Sequence, residues 1–151
     1  MHENTTSHGT NLIGFKDIKR EPIKGWQEFL QEGKQFLTTA ENAFAKNRAS
    51  FTAEILYNLV AMAIEKLIMA QLMKSGNLPY NHTMHDLVEA MDEFLPGHLH
   101  HYADKLKALD GYQEICDTET FTIVPPTMAE VEKMLELAGE VKDLIMAQIT
   151  D

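Results

Sequence analysis

The chain has 151 residues, the length of a single domain that can bury a core. Hydrophobic residues make up 44% and charged residues 24%, which excludes a chain disordered throughout and any fibrous repeat. A net charge of −10 argues against bulk affinity for nucleic acid and for anionic membranes. One cysteine excludes a disulfide framework, and no segment has the ~18 uninterrupted apolar residues of a membrane span. We therefore expect a soluble, cytoplasmic domain.

The first part of the chain is polar and has no sustained periodicity. Residues 1–21 are predicted to be a flexible arm, in which Leu12, Ile13 and Phe15 are candidates for docking on a neighbouring molecule. From residue 22 to residue 151 the apolar residues follow helical spacing, which predicts one bundle domain. Its first helix is expected over about residues 23–46, with a single apolar stripe that begins at Trp26.

The second predicted helix, at about residues 50–75, is apolar on most of its circumference. Such a helix belongs in the middle of a bundle or at a subunit contact, so we expect it to be sheltered on nearly every side. Gly76 and Pro79 end it, and Thr83 with Asp86 forms a capping signal for a third helix. A fourth apolar stripe runs from Leu99 to Leu109 and predicts a fourth helix.

The last helix is predicted from a second capping box, Thr127 with Glu130, directly after two prolines. Residues 112–126 are expected to form an extended loop that closes over the bundle, because one short β-branched run cannot form a sheet alone. The fold class is therefore all-α: an up-and-down antiparallel bundle of four to five helices with a flexible N-terminal arm.

Motifs for cofactor or nucleophile chemistry are absent from the sequence. There is no glycine-rich phosphate loop, and no cofactor is expected. Cys116 is followed by an acid, which raises the pKa of a thiol and makes it a poorer nucleophile. Five of the seven histidines fall between residues 82 and 101, and two pairs, His82 with His85 and His98 with His101, have a metal-compatible i, i+3 spacing. The pairs at the two ends of the third helix lie about 15–20 Å apart, too far to share a metal within one chain. We therefore predict no metal site, with His98 and His101 as the candidates if one exists.

Polar residues inside the apolar second helix are the more informative feature. Glu54, Asn58 and Glu65 lie on one side of it, and buried carboxylates often mark a site because they must be paired or protonated. The alternative interpretation is that this side is the solvent-facing edge of the helix.

The order of motifs resembles the HEPN domain family over about residues 23–149. The resemblance is carried by Ala63-Ile64-Glu65-Lys66, a break through Gly76 and Pro79, His85-Asp86-Leu87, and Tyr112-x-Glu114 before a proline-containing loop and a closing helix. It implies a helical bundle that commonly forms a symmetric dimer. Many HEPN domains are metal-independent ribonucleases with an Arg-x4–6-His signature, and others are non-catalytic partners of minimal nucleotidyltransferases.

The chain departs from the family's catalytic signature. Its two arginines, Arg20 and Arg48, are not followed by a histidine at that spacing, and Ile115-Cys116-Asp117 stands where many relatives carry an arginine. A missing cation weakens the stabilisation of charge on a transferring phosphoryl group. The first hypothesis is therefore a non-catalytic HEPN-like bundle that homodimerises and binds a protein such as a minimal nucleotidyltransferase, in a toxin–antitoxin or nucleotide-related system.

The alternative hypothesis is a divergent HEPN ribonuclease or nucleotide-binding protein. Its candidate polar cleft consists of Asn58, Glu65, His85, Asp86 and Tyr112. This hypothesis requires the polar groups to lie within hydrogen-bonding reach of one another or of a shared water.

Overall fold

The computed structural model describes residues 20–99, 101–112 and 124–150, and this part of the chain is helical with no strand. Five α-helices follow one another: α1 (Trp26–Ala45), α2 (Ala53–Lys74), α3 (Met84–Phe94), α4 (Ala103–Ala108) and α5 (Met128–Thr150). A short 3₁₀ helix, Leu109–Tyr112, continues α4. The prediction of an all-α bundle is confirmed. The predicted arm, apart from its last two residues, and most of the predicted loop lie outside the described residues.

Capping residues and a glycine set the observed helix boundaries close to the predicted ones. Thr83 accepts a hydrogen bond from the Asp86 amide at 3.1 Å and so caps α3. Thr127 and Glu130 exchange two hydrogen bonds of 3.0 and 3.1 Å at the start of α5, as a capping box requires. Gly76 has a φ of +82° just after α2, a conformation that favours glycine.

The central helix is α2, which packs against α1, α3 and α5. The two helices α1 and α2 lie close together at Gly33, where a Cβ atom would lie 2.9 Å from Cγ of Leu67. By length and composition α2 could span a membrane, but 67% of its most apolar 18-residue stretch is buried inside the bundle. A helix in the core of a soluble protein and a helix in a membrane have similar compositions, because the protein core and the lipid both exclude water.

Helix directions follow from contacts between helix ends. The Ile23 amide donates to the Met73 carbonyl at 2.7 Å, so α1 begins where α2 ends and the two are antiparallel. Gln71 donates to Gln148 at 2.6 Å, so α2 and α5 end together. The Tyr57 hydroxyl donates to the Leu109 carbonyl at 2.8 Å, which brings the end of α4 back to the start of α2.

One connection departs from the predicted up-and-down order. Met84, at the start of α3, lies beside Tyr57, whereas Leu95, at the end of α3, lies beside Gln71 near the end of α2. The helices α2 and α3 therefore run in the same direction. The connection at residues 75–83 is long enough to return along α2, since an extended chain spans about 3.3–3.6 Å per residue.

Shelter of α2 differs between its two halves. From residue 67 to residue 73 every side chain is buried, as the sequence predicts. In the first half, Glu54, Ile55, Asn58 and Met62 are exposed along one stripe. The prediction of shelter on nearly every side is therefore wrong for residues 54–62, because no helix of the described part covers this stripe.

Candidate functional site

A polar cleft opens beside the first half of α2. It has a volume of about 330 Å³ and lies between α2, the connection before α3, the start of α3 and the 3₁₀ helix. We call it the α2–α3 cleft. Its lining comprises Tyr57, Asn58, Ala61, Met62, Glu65, His82, Met84 and Asp110. Two predicted site residues, Asn58 and Glu65, are thus on its wall.

Asp110 binds the start of α3 at one end of the cleft. Its carboxylate accepts hydrogen bonds from the backbone amides of Met84 at 2.9 Å and His85 at 3.0 Å. It lies 2.8 Å from Nδ1 of the His85 ring. The first amides of a helix have no partner within it, so Asp110 satisfies two of them from a distant part of the chain.

These hydrogen bonds set the charge of Asp110. Its side chain is only 14% exposed, and this burial by itself would raise the pKa of the carboxyl. The hydrogen bond from the His85 ring and those from the two amides outweigh burial, so the pKa of Asp110 is lowered and the carboxylate stays ionised. A carboxylate at Nδ1 holds the proton on that nitrogen and leaves Nε2 of His85 as the basic nitrogen.

A second histidine–carboxylate pair borders the same cleft. Nδ1 of His82 lies 2.7 Å from Oε1 of Glu65, and the two side chains are 57% and 32% exposed. His82 belongs to the connection before α3, so this contact holds the connection against α2. Glu65 and His85 therefore lie near one cleft, but each is paired with a different residue.

The other predicted site residues serve local structure or lie on another face. Asn58 is exposed at the cleft edge. Asp86 accepts a hydrogen bond from the Thr83 hydroxyl at 2.9 Å and belongs to the cap of α3. Tyr112 packs on the ring of Tyr57, with centroids 5.4 Å apart, and donates its hydroxyl hydrogen to Glu130 on α5.

The contact between Tyr112 and Glu130 changes the pKa of both groups. The hydrogen bond to the carboxylate, with burial and the negative charge of Glu130, raises the pKa of Tyr112. The same hydrogen bond, helped by the amide and hydroxyl of Thr127, lowers the pKa of Glu130. This pair ties the 3₁₀ helix to the start of α5, and it borders a second groove rather than the α2–α3 cleft.

The histidines named as metal candidates lie in the turn between α3 and α4. Nδ1 of His98 is 3.4 Å from the Pro96 carbonyl, and His101 is exposed. Among residues 20–99, 101–112 and 124–150, no group of three or more His, Cys, Asp or Glu side chains is arranged to hold a metal ion.

Sequence reasoning missed the residue that organises the cleft. Asp110 lies 25 residues after His85, and no motif or helical spacing links the two. The only local signal is that an aspartate precedes Gly111 at the end of an apolar stripe, which is typical of a turn. His82 is one of the clustered histidines, but its pairing with Glu65 depends on the return of the connection along α2.

Comparison with known proteins adds no relative. No protein-family model, no curated protein and no solved structure matches the chain. Functional assignment therefore depends on the arrangement of its own residues.

Proposed function

We propose that this chain is a non-catalytic, cytoplasmic HEPN-like bundle that forms a homodimer and binds a second protein. The observation that carries the proposal is the exposed stripe on α2. Ile55 and Met62 are 42% and 41% exposed on a helix whose other large apolar side chains lie mostly in the core. Contiguous exposed apolar surface is typical of sites for contact with another protein, and Ile55 and Met62 lie within about 20° of each other around α2.

The connection before α3 carries a further exposed aromatic side chain. Tyr80 is 94% exposed and is two residues from His82, so their Cα atoms lie within about 7.6 Å of each other. His82 in turn contacts Glu65 on α2. Tyrosines are enriched among the residues that contribute most to binding at protein interfaces. We use the name α2 face for Glu54, Ile55, Asn58, Met62 and Glu65.

Charge in the cleft favours binding over phosphoryl chemistry. The residues that line it include the carboxylates of Glu65 and Asp110 and no lysine or arginine. A phosphate group in this cleft would meet the negative charge of these carboxylates without a lysine or arginine to compensate it. The resemblance to HEPN domains supplies the candidate partner, a minimal nucleotidyltransferase, within a toxin–antitoxin or nucleotide-related system.

Solution mass and co-purification test this proposal. We expect the wild-type chain of 17.1 kDa to have twice that mass in solution, and a strictly monomeric species at high concentration would contradict the dimer. We also expect it to co-purify with a nucleotidyltransferase expressed from a neighbouring gene.

A matched pair of double variants locates the binding surface. Ile55→Gln with Met62→Gln should abolish co-purification. Val124→Gln with Met128→Gln should preserve it, although Met128 is 40% exposed like Met62. Equal binding by both variants would show that the α2 face is not the surface used.

A second candidate function follows from the pair His85 and Asp110. A histidine oriented by a largely buried carboxylate is an arrangement used for general acid–base catalysis, and His85 remains 55% exposed. This supports the alternative of a divergent ribonuclease or nucleotide-binding site. Incubation with RNA in the presence of a chelator tests it, with His85→Ala and His101→Ala as the matched variants. Cleavage that is lost only in His85→Ala would establish this function and overturn the non-catalytic proposal.

A further inference from the structure

The α2 face has an acidic edge and an apolar centre. An α-helix turns about 100° per residue, so Glu54 and Glu65, eleven residues apart, lie within about 20° of each other around the helix. They are separated by about 16 Å along its axis. Asn58 and Met62 lie beside this edge, and Ile55 lies beyond them. A partner lying along the helix therefore meets carboxylates on one side and apolar side chains on the other.

Among the described residues, the basic group in contact with this edge is the ring of His82, whose Nδ1 lies 2.7 Å from Oε1 of Glu65. No lysine or arginine of this part of the chain forms an ion pair with Glu54 or Glu65. Nζ of Lys66, the next residue after Glu65, is 2.6 Å from Glu32 and 4.5 Å from the Phe29 ring centroid, so it is directed toward α1. The α2–α3 cleft adds the ionised carboxylate of Asp110 and no lysine or arginine. The face therefore carries net negative charge beside exposed apolar surface.

A second copy of the chain packed antiparallel on this face complements it poorly. Two antiparallel copies of α2 related by a two-fold axis would bring the Glu54 and Glu65 edge of one copy against the same edge of the other. Like charges brought together in an interface oppose association. The net charge of −10 on each copy acts in the same direction.

We propose that the α2 face binds a basic amphipathic helix of a different protein. The apolar side chains of that helix contact Ile55 and Met62, and lysines or arginines about three turns apart contact Glu54 and Glu65. This inference rests on the proposed function and names the chemistry of the partner. It also separates the partner surface from the homodimer contact, which lies elsewhere on the bundle.

Two synthetic helical peptides of equal length and apolar pattern test this inference. One carries lysines at two positions eleven residues apart, and the other carries glutamates there. We expect the full-length protein to bind the lysine peptide, measured by fluorescence anisotropy, and to bind the glutamate peptide at least tenfold more weakly. Affinity should fall as salt rises, because exposed ion pairs are screened.

Charge variants of the protein locate the contact. Glu54→Gln with Glu65→Gln should weaken binding of the lysine peptide about fivefold, since each exposed ion pair contributes only modestly to affinity. Glu132→Gln with Glu136→Gln, two exposed acids on α5, should leave it unchanged. An equal loss in both variants would overturn the proposal, because the peptide would then follow overall charge.

Failure of this inference is distinguishable from failure of the proposed function. Equal binding of both peptides, lost in Ile55→Gln with Met62→Gln, would overturn the basic partner and leave the α2 face as a protein-binding surface. If neither peptide binds and the nucleotidyltransferase still co-purifies, the basic partner is likewise overturned and the protein-binding function is kept. Conversion of the dimer to a monomer by Ile55→Gln with Met62→Gln would show that a second copy occupies the face, which also overturns the inference.

Discussion

The carboxylate of Asp110 accepts hydrogen bonds from both the backbone amide and the ring of His85, at 3.0 and 2.8 Å. The Asp110 side chain thus caps the start of α3 and fixes the orientation of the exposed His85 imidazole. The same contact holds the 3₁₀ helix against α3, at the end of the bundle where the α2–α3 cleft opens. The start of α3 and the orientation of the candidate catalytic His85 therefore both depend on Asp110.

Removal of Asp110 should lower the stability of the bundle. Asp110→Ala leaves the amides of Met84 and His85 without their acceptor, and we expect a loss of about 1–2 kcal/mol in the free energy of unfolding. Urea denaturation followed by circular dichroism measures this loss. Asp92→Ala, an exposed acid on α3, is the control and should stay within about 0.5 kcal/mol of wild type. Equal losses would show that Asp110 has no capping role.

Stability should also depend on pH through Asp110. Its pKa is lower in the folded chain than in the unfolded chain, so the unfolded state binds more protons in the acid range. The stabilisation is therefore present above the ordinary carboxyl range, about pH 4, and is lost as pH falls through the folded-state pKa. Glu130, whose pKa is also lowered, acts in the same direction. Unfolding curves at several pH values should show a smaller acid-side decrease in Asp110→Asn, and an unchanged slope would contradict this.

Two glycines in helices should respond oppositely to alanine. At Gly33 a Cβ atom would lie 2.9 Å from Leu67 Cγ and 3.1 Å from the Ala63 carbonyl oxygen, so α1 and α2 must move apart. We expect Gly33→Ala to cost about 1–3 kcal/mol. At Gly139 in α5 nothing lies within 4 Å, and Gly139→Ala should stabilise by up to about 1 kcal/mol through helix propensity. Thermal unfolding of both variants gives the comparison, and a stabilised Gly33→Ala would contradict the close packing.

Tyr112 should ionise at a lower pH when Glu130 loses its charge. The hydrogen bond to the Glu130 carboxylate is the main cause of the raised pKa, followed by burial and by the charge of Glu130. Glu130→Gln keeps an acceptor but removes the negative charge, so the pKa of Tyr112 should fall. Ultraviolet absorbance of tyrosinate in an alkaline titration measures this, and Tyr112→Phe identifies which step belongs to Tyr112. An unchanged step in Glu130→Gln would show that the contact is not formed in solution.

The pattern of apolar residues and the capping signals were sufficient to predict the helices. Thr83 and Thr127 cap the helices that follow them, because a cap depends only on residues within one turn. Gly76 ends α2 for a similarly local reason, a backbone conformation that favours glycine. The all-α class and the position of α2 at the centre follow from such local information, since a helix that is apolar on most sides requires burial.

Tertiary structure alone decided the direction of α3 and the make-up of the cleft. The connection that returns along α2 brings His82 to Glu65, and the end of α4 brings Asp110 to His85. Periodicity records which face of a helix is buried but not which distant residue lies against it. The exposed first half of α2 shows the same limit, because its composition indicates burial while only the packing of the other helices decides which side they cover.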